Sequence, residues 1–301
     1  MTTGLPATRP SFGVVVLTQG RRPEELARGL ESLQRQQGVD LDVVVVGNAW
    51  NPTGLPEEVK TLALPTNIGI PAGRNAGVPH VDGEFLFFLD DDAWLLEDDV
   101  LLRTAQYLRQ HPDVGLVQPL IEDPEVGDDA HPGRWIPRLG ARQRHTEADV
   151  FSVVEMTVAM RREAFEATGG WPGIFFYAHE GIELAWRVWA AGFRVRYVPS
   201  LRTGHPVVDP RRHSDYFFKN ARNRVWLARR NLPRPLALAY VGSWTGIQVV
   251  RWSVHREGLG SWCSGWVHGW RSDPFEPGED RSRLRWRDVA RMARHGRFLV
   301  I

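Results

Sequence analysis

Three consecutive carboxylates, Asp90, Asp91 and Asp92, directly follow the apolar run Phe85–Leu89. Such a run is typical of a buried strand, and adjacent acids at its end repel one another unless a cation lies among them. Mg²⁺ and Mn²⁺ accept oxygen ligands and can bridge to substrate phosphates. The triplet therefore indicates a metal and diphosphate site, and the alternative is a solvated acidic turn that opens the next helix.

A segment of small residues, Asn67–Gly77 (NIGIPAGRNAG), precedes this strand. Glycine lets a backbone approach a ligand closely, and Arg74 offers a bidentate fork to phosphate. The segment matches neither a Walker A loop nor the G-x-G-x-x-G fingerprint, which argues against P-loop and Rossmann cofactor sites. Tight packing of a helix on a sheet would also explain the small residues.

Two acids, Glu180 and Glu183, are three residues apart in the run His179–Arg187 (HEGIELAWR), so on a helix they share a face. The bland alternative is a surface pair of Glu183 with Arg187, four residues further on. The run is not an H-E-x-x-H zinc helix, and the chain has no G-x-S-x-G elbow. Zinc hydrolase and serine hydrolase functions are therefore disfavoured.

The elements around these motifs alternate between strand-like and helix-like runs. Strands are predicted at Phe12–Leu17, Val43–Val46, Thr61–Leu64, Phe85–Leu89, Val114–Val117, Phe151–Met160 and Arg194–Val198, and helices at Pro23–Gln36, Gly69–Val78, Asp98–Gln110, Arg162–Thr168 and Gly181–Ala191. Fully apolar strands indicate a parallel sheet covered on both faces. Repeated β-α-β units predict a doubly wound α/β sheet whose ligands lie at the carboxyl ends of the strands. Residues 121–149 are expected to form a long loop.

Composition is that of a globular protein, with 301 residues and 43% hydrophobic content, but the net charge of +1 hides a division. Residues 1–210 hold 19 basic and 29 acidic side chains, whereas residues 211–301 hold 18 and 7. Clustered positive charge indicates a phosphate-bearing ligand or a membrane surface, and nucleic acid is disfavoured because no recognition motif accompanies it. The single cysteine, Cys263, excludes an intrachain disulfide framework.

Taken in order over residues 11–235, these motifs resemble glycosyltransferase family 2. The matching pieces are NIGIPAGRNAG, FLFFLDDDA, RREAFEATGGW, FFYAHEGIELAWR, VRYVPS followed by a histidine, and FKNARNRVWLARRNLP. The resemblance implies an α/β protein of the GT-A fold, with a doubly wound, mostly parallel sheet and a helical C-terminal extension. It also implies a transferase that uses a nucleoside-diphosphate sugar as donor.

On this basis we predict three parts of the chain. Residues 1–10 are a flexible tail, residues 11–210 are the GT-A catalytic domain, and residues 211–301 are a basic, tryptophan-rich helical region. Within the catalytic domain, residues 11–120 form the nucleotide-binding half and residues 150–210 form the acceptor half.

The resemblance also implies the residues of the site. Asp90–Asp92 look like the family's D-x-D element, so Mn²⁺ or Mg²⁺ is expected on Asp92, Asp90 and His205, although His205 could instead be a hydrogen-bonded structural histidine. The residues expected at the donor nucleotide are Asn48, Asn67, Arg74, Asn75, Asp90, Asp91, Arg222 and Arg224. For Arg222 and Arg224, a solvated helix face is the alternative.

One departure concerns the catalytic pair. The family commonly has Glu-Asp followed by an acid two residues later, but here Gly181 stands at the aspartate position. The general base is then Glu180 or Glu183, and we favour Glu180 because it precedes the helix proper. We expect inverting transfer to a hydroxyl of a glycan, a lipid-linked acceptor or a small molecule. A retaining transferase on the same fold and a non-catalytic nucleotide-sugar binding protein remain alternatives.

The C-terminal region suggests two further interpretations. Tryptophans over residues 244–270 and an Arg-Trp amphipathic pattern over residues 281–294 predict either a helical lid or contact with a membrane surface. The weakly charged run over residues 235–250 is shorter than the ~20 residues that span a bilayer, and residues 1–10 show no apolar signal region. We therefore expect a cytoplasmic protein, with peripheral contact to the inner face of the membrane still open.

Overall fold

The structure is a computed structural model, and it describes residues 8–126, 135, 143–208, 215–254 and 257–294. Most of the predicted N-terminal tail and the middle of the predicted loop over residues 121–149 lie outside this range. The predicted division of the chain at residues 10 and 210 stays a prediction.

Nine strands of the described part form one sheet. They are β1 Ser11–Thr18, β2 Asp40–Asn48, β3 Lys60–Leu64, β4 Phe85–Asp90, β5 Trp94–Leu95, β6 Val114–Glu122, β7 Ala148–Asp149, β8 Thr157–Arg161 and β9 Arg194–Gly204. Their order is β3-β2-β1-β4-β8-β6-β9-β5, with β7 beside β9. Strands β1 to β4, β6 and β9 run in one direction, and β5, β7 and β8 run against them. The mostly parallel α/β sheet is thereby confirmed.

Helices cover both faces of this sheet and continue beyond it. They are α1 Pro23–Gln34, α2 Ile70–Gly77, α3 Val100–Gln110, α4 Arg162–Thr168, α5 Glu180–Ala190, α6 Tyr216–Asn231, α7 Arg234–Val254, α8 Leu259–Arg271 and α9 Trp286–Ala293. Proline suits the first turn of α1 and α2, because a backbone N–H there has no hydrogen-bond acceptor within the helix and its loss costs nothing. The helical C-terminal extension predicted from the sequence consists of α6 to α9.

Burial on both faces explains why the central strands are apolar without alternation. In β1, Val14 and Val16 pack into the hydrophobic cluster that contains Leu30 of α1, whereas Val15 and Leu17 pack into the cluster on the opposite face. Consecutive residues of such a strand are all shielded from water, so a polar residue is disfavoured at each of them. Polar residues are tolerated only where the strand ends, and there the site begins.

One predicted strand is wrong in part. The run Phe151–Met160 was expected to be a single strand, but β8 begins only at Thr157. Residues 151–156 form an irregular segment whose first three side chains are buried, so hydropathy alone could not separate it from the strand. Another difference is that β9 continues beyond the predicted end at Val198 as far as Gly204.

The C-terminal helices pack on one another and on the main core. Trp262 is buried, and Trp244, Trp266 and Trp270 pack against the large hydrophobic cluster, as a lid would require. Trp286 differs, because 58% of it is exposed on α9. No helix in the described ranges is long and apolar enough to cross a membrane.

Candidate active site

A pocket of about 750 Å³ opens where β1, β2 and β4 end. Of the residues expected at the site, the lining includes Asn48, Arg74, Asp90, Asp91, Asp92, Glu180, His205 and Arg224. Four others do not line this pocket, namely Asn67, Asn75, Glu183 and Arg222. The sheet therefore brings most of the predicted donor and metal residues to one place, together with one of the two candidate bases.

The side chains of Asp90, Asp92 and His205 form a group able to hold a metal ion, because one ligand atom of each lies within 4.8 Å of the others. His205 Nε2 lies 3.0 Å from Asp92 Oδ1, and its Nδ1 lies 2.7 Å from the carbonyl oxygen of Pro206. A carbonyl can only accept, so a hydrogen bond to it uses a proton on Nδ1 and leaves Nε2 facing the carboxylate. A cation bound between Nε2 and the carboxylate would have a ligand on each side.

The electrostatics of the triplet also fit a cation. Burial raises the pKa of Asp90 despite the nearby Arg74 guanidinium, and it raises the pKa of Asp91 to about 6. The nearby positive charge does not compensate for the burial of these carboxylates in their ionised form, so a divalent ion would stabilise them. Two carboxylates and one imidazole together form a ligand set that can bind a divalent metal ion.

Arg22 is a pocket residue that the sequence did not identify. Its guanidinium contacts the carboxylate of Asp92, and its Nη1 lies 3.1 Å from Asp91 Oδ1. Thr18, at the end of β1, donates a hydrogen bond of 2.7 Å to the other oxygen of Asp91. The only sequence signal was a basic pair, Arg21 and Arg22, soon after the first strand.

Arg74 lies in the pocket wall and is 1% exposed. Its Nη2 donates to Asp90 Oδ1 at 2.6 Å and to the backbone oxygen of Glu155 at 2.9 Å. Its Nη1 is buried without a hydrogen-bond partner among the residues that the structure describes. A buried unpaired donor is costly, and a phosphate oxygen would supply the missing acceptor.

The three predicted asparagines hold loops in place. Asn48 is buried at the pocket, and its amide nitrogen donates to Asn67 Oδ1 at 2.9 Å and to the carbonyl of Gly69 at 3.1 Å. Asn75 bonds to both the carbonyl and the N–H of Trp171, at 2.8 and 2.9 Å. These amides shape the walls of the pocket, and their direct contact with a nucleotide stays a prediction.

Glu180, the first residue of α5, also lines the pocket and is 3% exposed. Its Oε2 is buried, and no group in the described part of the chain forms a hydrogen bond with it. Burial, and next the negative charge of Glu155, raise the pKa of Glu180 to about 8. A carboxyl of this kind is suited to accept a proton near neutral pH.

The turn before Glu180 has an unusual backbone. Phe176, Ala178 and His179 have φ values of 65°, 74° and 72°, in the left-handed region that non-glycine residues rarely adopt. Asn223 of α6 stabilises the turn, because its Nδ2 lies 2.6 to 3.0 Å from three carbonyl oxygens of residues 175–178. Strain of this kind concentrates at functional sites, where the surrounding structure maintains it.

The neighbours of Asn223 on α6 face different ways. Arg222 donates to the carbonyl of Phe175 at 2.8 Å and stacks over Trp226, and burial lowers its pKa to about 10. Arg224 lines the pocket and lies 4.0 Å from the ring centre of Trp244. Only Arg224 is therefore placed where a donor molecule could reach it.

Glu183 is fully buried in an ion-pair cluster and not in the pocket. Arg230 donates to both of its oxygens, at 2.8 and 3.0 Å, and the Arg187 guanidinium lies 2.6 Å away. Glu279 binds the same two arginines. The ion pair between Glu183 and Arg187, which was the alternative interpretation of this part of the sequence, is present. Of the two acids, only Glu180 lines the pocket and is placed there as a candidate base.

Glu155 is a second pocket residue that sequence reasoning missed. Its Oε1 accepts a 2.7 Å hydrogen bond from the backbone N–H of Gly181, and burial raises its pKa. It lies in the irregular segment that was predicted as strand, where an isolated acid gave no signal.

A mostly parallel sheet that ends in a D-x-D metal group and faces a buried carboxyl defines the GT-A class of scaffold. Residues 13–169, more than half of the chain, match the sequence model of Glycosyl transferase family 2, and the chain belongs to this family.

Individual relatives agree with this assignment. The O-antigen biosynthesis protein RfbC of Myxococcus xanthus is 30% identical over 190 residues, which are 54% of this chain and 14% of that protein, so the chain corresponds to a small part of that relative. The mannosyltransferase PcManGT of Pyrobaculum calidifontis, solved with GDP-Man and Mn²⁺, has a TM-score of 0.58 at 18% identity and covers 89% of this chain and 77% of its own. GalNAc-T7, solved with UDP, GalNAc and Mn²⁺, has a TM-score of 0.61 at 15% identity, covering 79% and 51%. At these identities the structural likeness shows the shared fold.

Proposed function

We propose that this chain is a metal-dependent, inverting glycosyltransferase that moves a sugar from a nucleoside-diphosphate sugar to an acceptor hydroxyl. The observation that carries the proposal is one pocket lined both by a group able to hold a metal ion and by Glu180, whose buried Oε2 has no hydrogen-bond partner in the described part of the chain. Both solved neighbours contain Mn²⁺ and a nucleotide, which supports the same class of ligand here.

On the donor side, Asp90, Asp92 and His205 would hold the ion. A bound divalent cation would neutralise the charge that develops on the leaving diphosphate. Arg74 would offer its unpaired Nη1 to the same ligand, and Arg22 supplies a second guanidinium in the pocket. Preorganised donors of this kind commonly contribute the largest part of catalysis.

On the acceptor side, Glu180 acts as general base. The acceptor oxygen attacks the anomeric carbon, its proton passes to Glu180 Oε2, and the bond from that carbon to the diphosphate oxygen breaks as the nucleoside diphosphate departs. Base catalysis by a positioned carboxylate supplies ~10²–10⁴-fold in rate. A pKa of about 8 makes the ionised carboxylate a strong base, and the ionised fraction grows as the pH rises toward 8.

A direct attack of this kind inverts the anomeric centre, because the acceptor enters opposite the leaving diphosphate. NMR of the purified product tests this, since the anomeric coupling constant differs between the two configurations. A product with the configuration of the donor would contradict the inverting proposal and favour a retaining transferase.

The first experiment is a calorimetric screen of UDP, dTDP and GDP with Mn²⁺ or Mg²⁺. We expect one nucleotide to bind in the presence of metal and not after chelation, and its sugar nucleotide to be slowly hydrolysed without acceptor. Binding without any hydrolysis or transfer would favour the non-catalytic nucleotide-sugar binding protein. Absence of metal-dependent binding for all three nucleotides would contradict the proposal.

We further propose that the acceptor is reached at the inner face of a membrane. The support is one face of α7, where Leu238, Val249 and Val250 are 62%, 57% and 69% exposed. Arg234 and Arg251 lie near the ends of this helix, and apolar residues beside arginine favour an anionic lipid surface. In a flotation assay at low salt, the wild-type protein should be recovered with anionic liposomes, whereas a Val249→Glu, Val250→Glu double variant should remain in the unbound fraction. No flotation of the wild type would contradict the proposal.

A further inference from the structure

The mechanism above leaves one pocket carboxylate, that of Glu155, without a task. Glu155 lines the pocket beside Glu180, and its Oε1 accepts the N–H of Gly181 at 2.7 Å. No side chain in the described ranges donates a hydrogen bond to it, and Arg74 reaches only its backbone oxygen. Two other groups of pocket-lining residues, Oε2 of Glu180 and Nη1 of Arg74, are buried without a hydrogen-bond partner in the described part of the chain, which independently points to a polar ligand.

The local structure makes room for this carboxylate. A Cβ atom on residue 181 would lie 2.6 Å from Glu155 Oε1, 2.7 Å from its Cγ and 2.6 Å from the carbonyl oxygen of Val153. These separations are far below contact distance, so the volume that a side chain at Gly181 would need is filled by the side chain of Glu155. Glycine near the start of a helix lowers helix stability by up to ~1 kcal/mol, and here it permits the acid to enter.

Comparison with Glu183 indicates that this acid is not a structural ion pair. Glu183 is fully buried, but Arg230 and Arg187 compensate its charge. Glu155 and Glu180 lie close enough for the charge of one to raise the pKa of the other, and neither has a guanidinium bound to its carboxylate in the described part of the chain. A buried acid next to a half-buried one, without paired cations, destabilises a fold, so a ligand that donates hydrogen bonds is the natural partner.

We propose that Glu155 is a second substrate-binding carboxylate, which accepts a hydrogen bond from a substrate hydroxyl that lies near Glu180 in the pocket. The inference rests on the proposed transferase function and adds a specificity-determining residue to it. The hydroxyl belongs either to the transferred sugar or to the acceptor, and the two sources predict different binding defects.

The test is the Glu155→Gln variant, whose amide oxygen can still accept the N–H of Gly181 while the charge is lost. We expect unchanged affinity for the nucleoside diphosphate with Mn²⁺, measured by calorimetry, and a melting temperature no lower than that of the wild type. If the hydroxyl is on the transferred sugar, affinity for the sugar nucleotide falls about tenfold, as expected when a hydrogen bond to a charged group is lost. If it is on the acceptor, kcat/KM for the acceptor falls by a similar factor instead. Glu163→Gln, at an exposed acid of α4 outside the pocket, is the matched control.

Two results would overturn the inference and are distinguishable from each other. If Glu155→Gln keeps sugar-nucleotide affinity and acceptor kcat/KM within twofold of an active wild type, or does not fold, Glu155 only caps α5 and the transferase function stands. If the wild type itself neither binds a nucleoside diphosphate with Mn²⁺ nor turns over a sugar nucleotide, the proposed function fails and the role of Glu155 fails with it.

Discussion

The amide nitrogen of Asn223 lies 2.6 Å from the carbonyl oxygen of Tyr177, and this contact joins the C-terminal helices to the turn that presents Glu180. Asn223 belongs to α6, the first helix of the basic region. That region is therefore part of the active site and more than a cover over it. The charge division in the sequence acquires a structural meaning, because α6 adds the basic residue Arg224 to a pocket that contains Asp90, Asp91 and Asp92.

The Asn223–Tyr177 contact predicts that Asn223→Ala lowers kcat for sugar transfer by at least ~10², because a strained turn loses its donor and Glu180 loses its position. Affinity for the nucleoside diphosphate with Mn²⁺ should stay within about twofold, since the amide nitrogen of Asn223 contacts the turn at residues 175–178 and not the metal group. Steady-state kinetics and calorimetry measure the two quantities. Asn51→Ala, at an exposed asparagine, serves as the control. Equal losses in kcat and in nucleotide affinity would argue against a positioning role.

The metal group predicts that Asp92→Asn or His205→Gln weakens Mn²⁺-dependent nucleotide binding by at least ~100-fold, because even indirect metal partners commonly contribute 10- to 100-fold. Titration of Mn²⁺ in the presence of the nucleotide, before and after chelation, measures the effect. Asp98→Asn changes an exposed acid and should leave binding intact. Retained metal-dependent binding in both variants would move the metal site elsewhere.

The pKa of Glu180 predicts two pH dependences. Transfer should increase with pH and reach half its maximum near pH 8, since only the ionised carboxylate can take the proton. The pKa in the folded protein lies above the ordinary 4.5, so the free energy of unfolding falls as pH rises from 4.5 toward 8. The Glu180→Gln variant cannot ionise at this position. Its free energy of unfolding should therefore exceed that of the wild type by about a few kcal/mol at pH 8 and differ little from it at pH 5. Calorimetric melting of both proteins at pH 5 and pH 8 measures this difference in stability. An equal difference at the two pH values would refute the predicted pH dependence.

The ion-pair cluster around Glu183 predicts a defect in stability and not in chemistry. Glu183→Ala leaves Arg230 buried without one of its partners, and breaking such a pair costs about 3–5 kcal/mol. Denaturant unfolding measures this loss, while the folded fraction should retain metal-dependent nucleotide binding. A stable Glu183→Gln variant that cannot transfer sugar would instead make Glu183 the base.

The sequence predicted those parts of the site that lie at the ends of apolar strands. Asp90–Asp92 follow β4 directly, so strand position and acid type together indicated a metal group, and Arg74 was marked by its small neighbours. Glu155 and Arg22 lie in irregular segments without periodicity, and only the folded chain brings them to the pocket. Spacing alone could not separate Glu180 from Glu183, because Arg187 suggested only a surface pair and the second arginine that binds Glu183 is 47 residues away on another helix. Long-range pairing of this kind leaves no local pattern to recognise.

The most direct test of the central claim compares the wild type with the Glu180→Gln variant. The release of nucleoside diphosphate from a sugar nucleotide is followed in the presence of Mn²⁺ and acceptor, and the affinity for the nucleotide is measured by calorimetry. The proposed mechanism predicts a loss of at least ~10² in turnover, with the dissociation constant of the nucleotide unchanged within about twofold. Turnover equal to that of the wild type would contradict the assignment of Glu180 as the base.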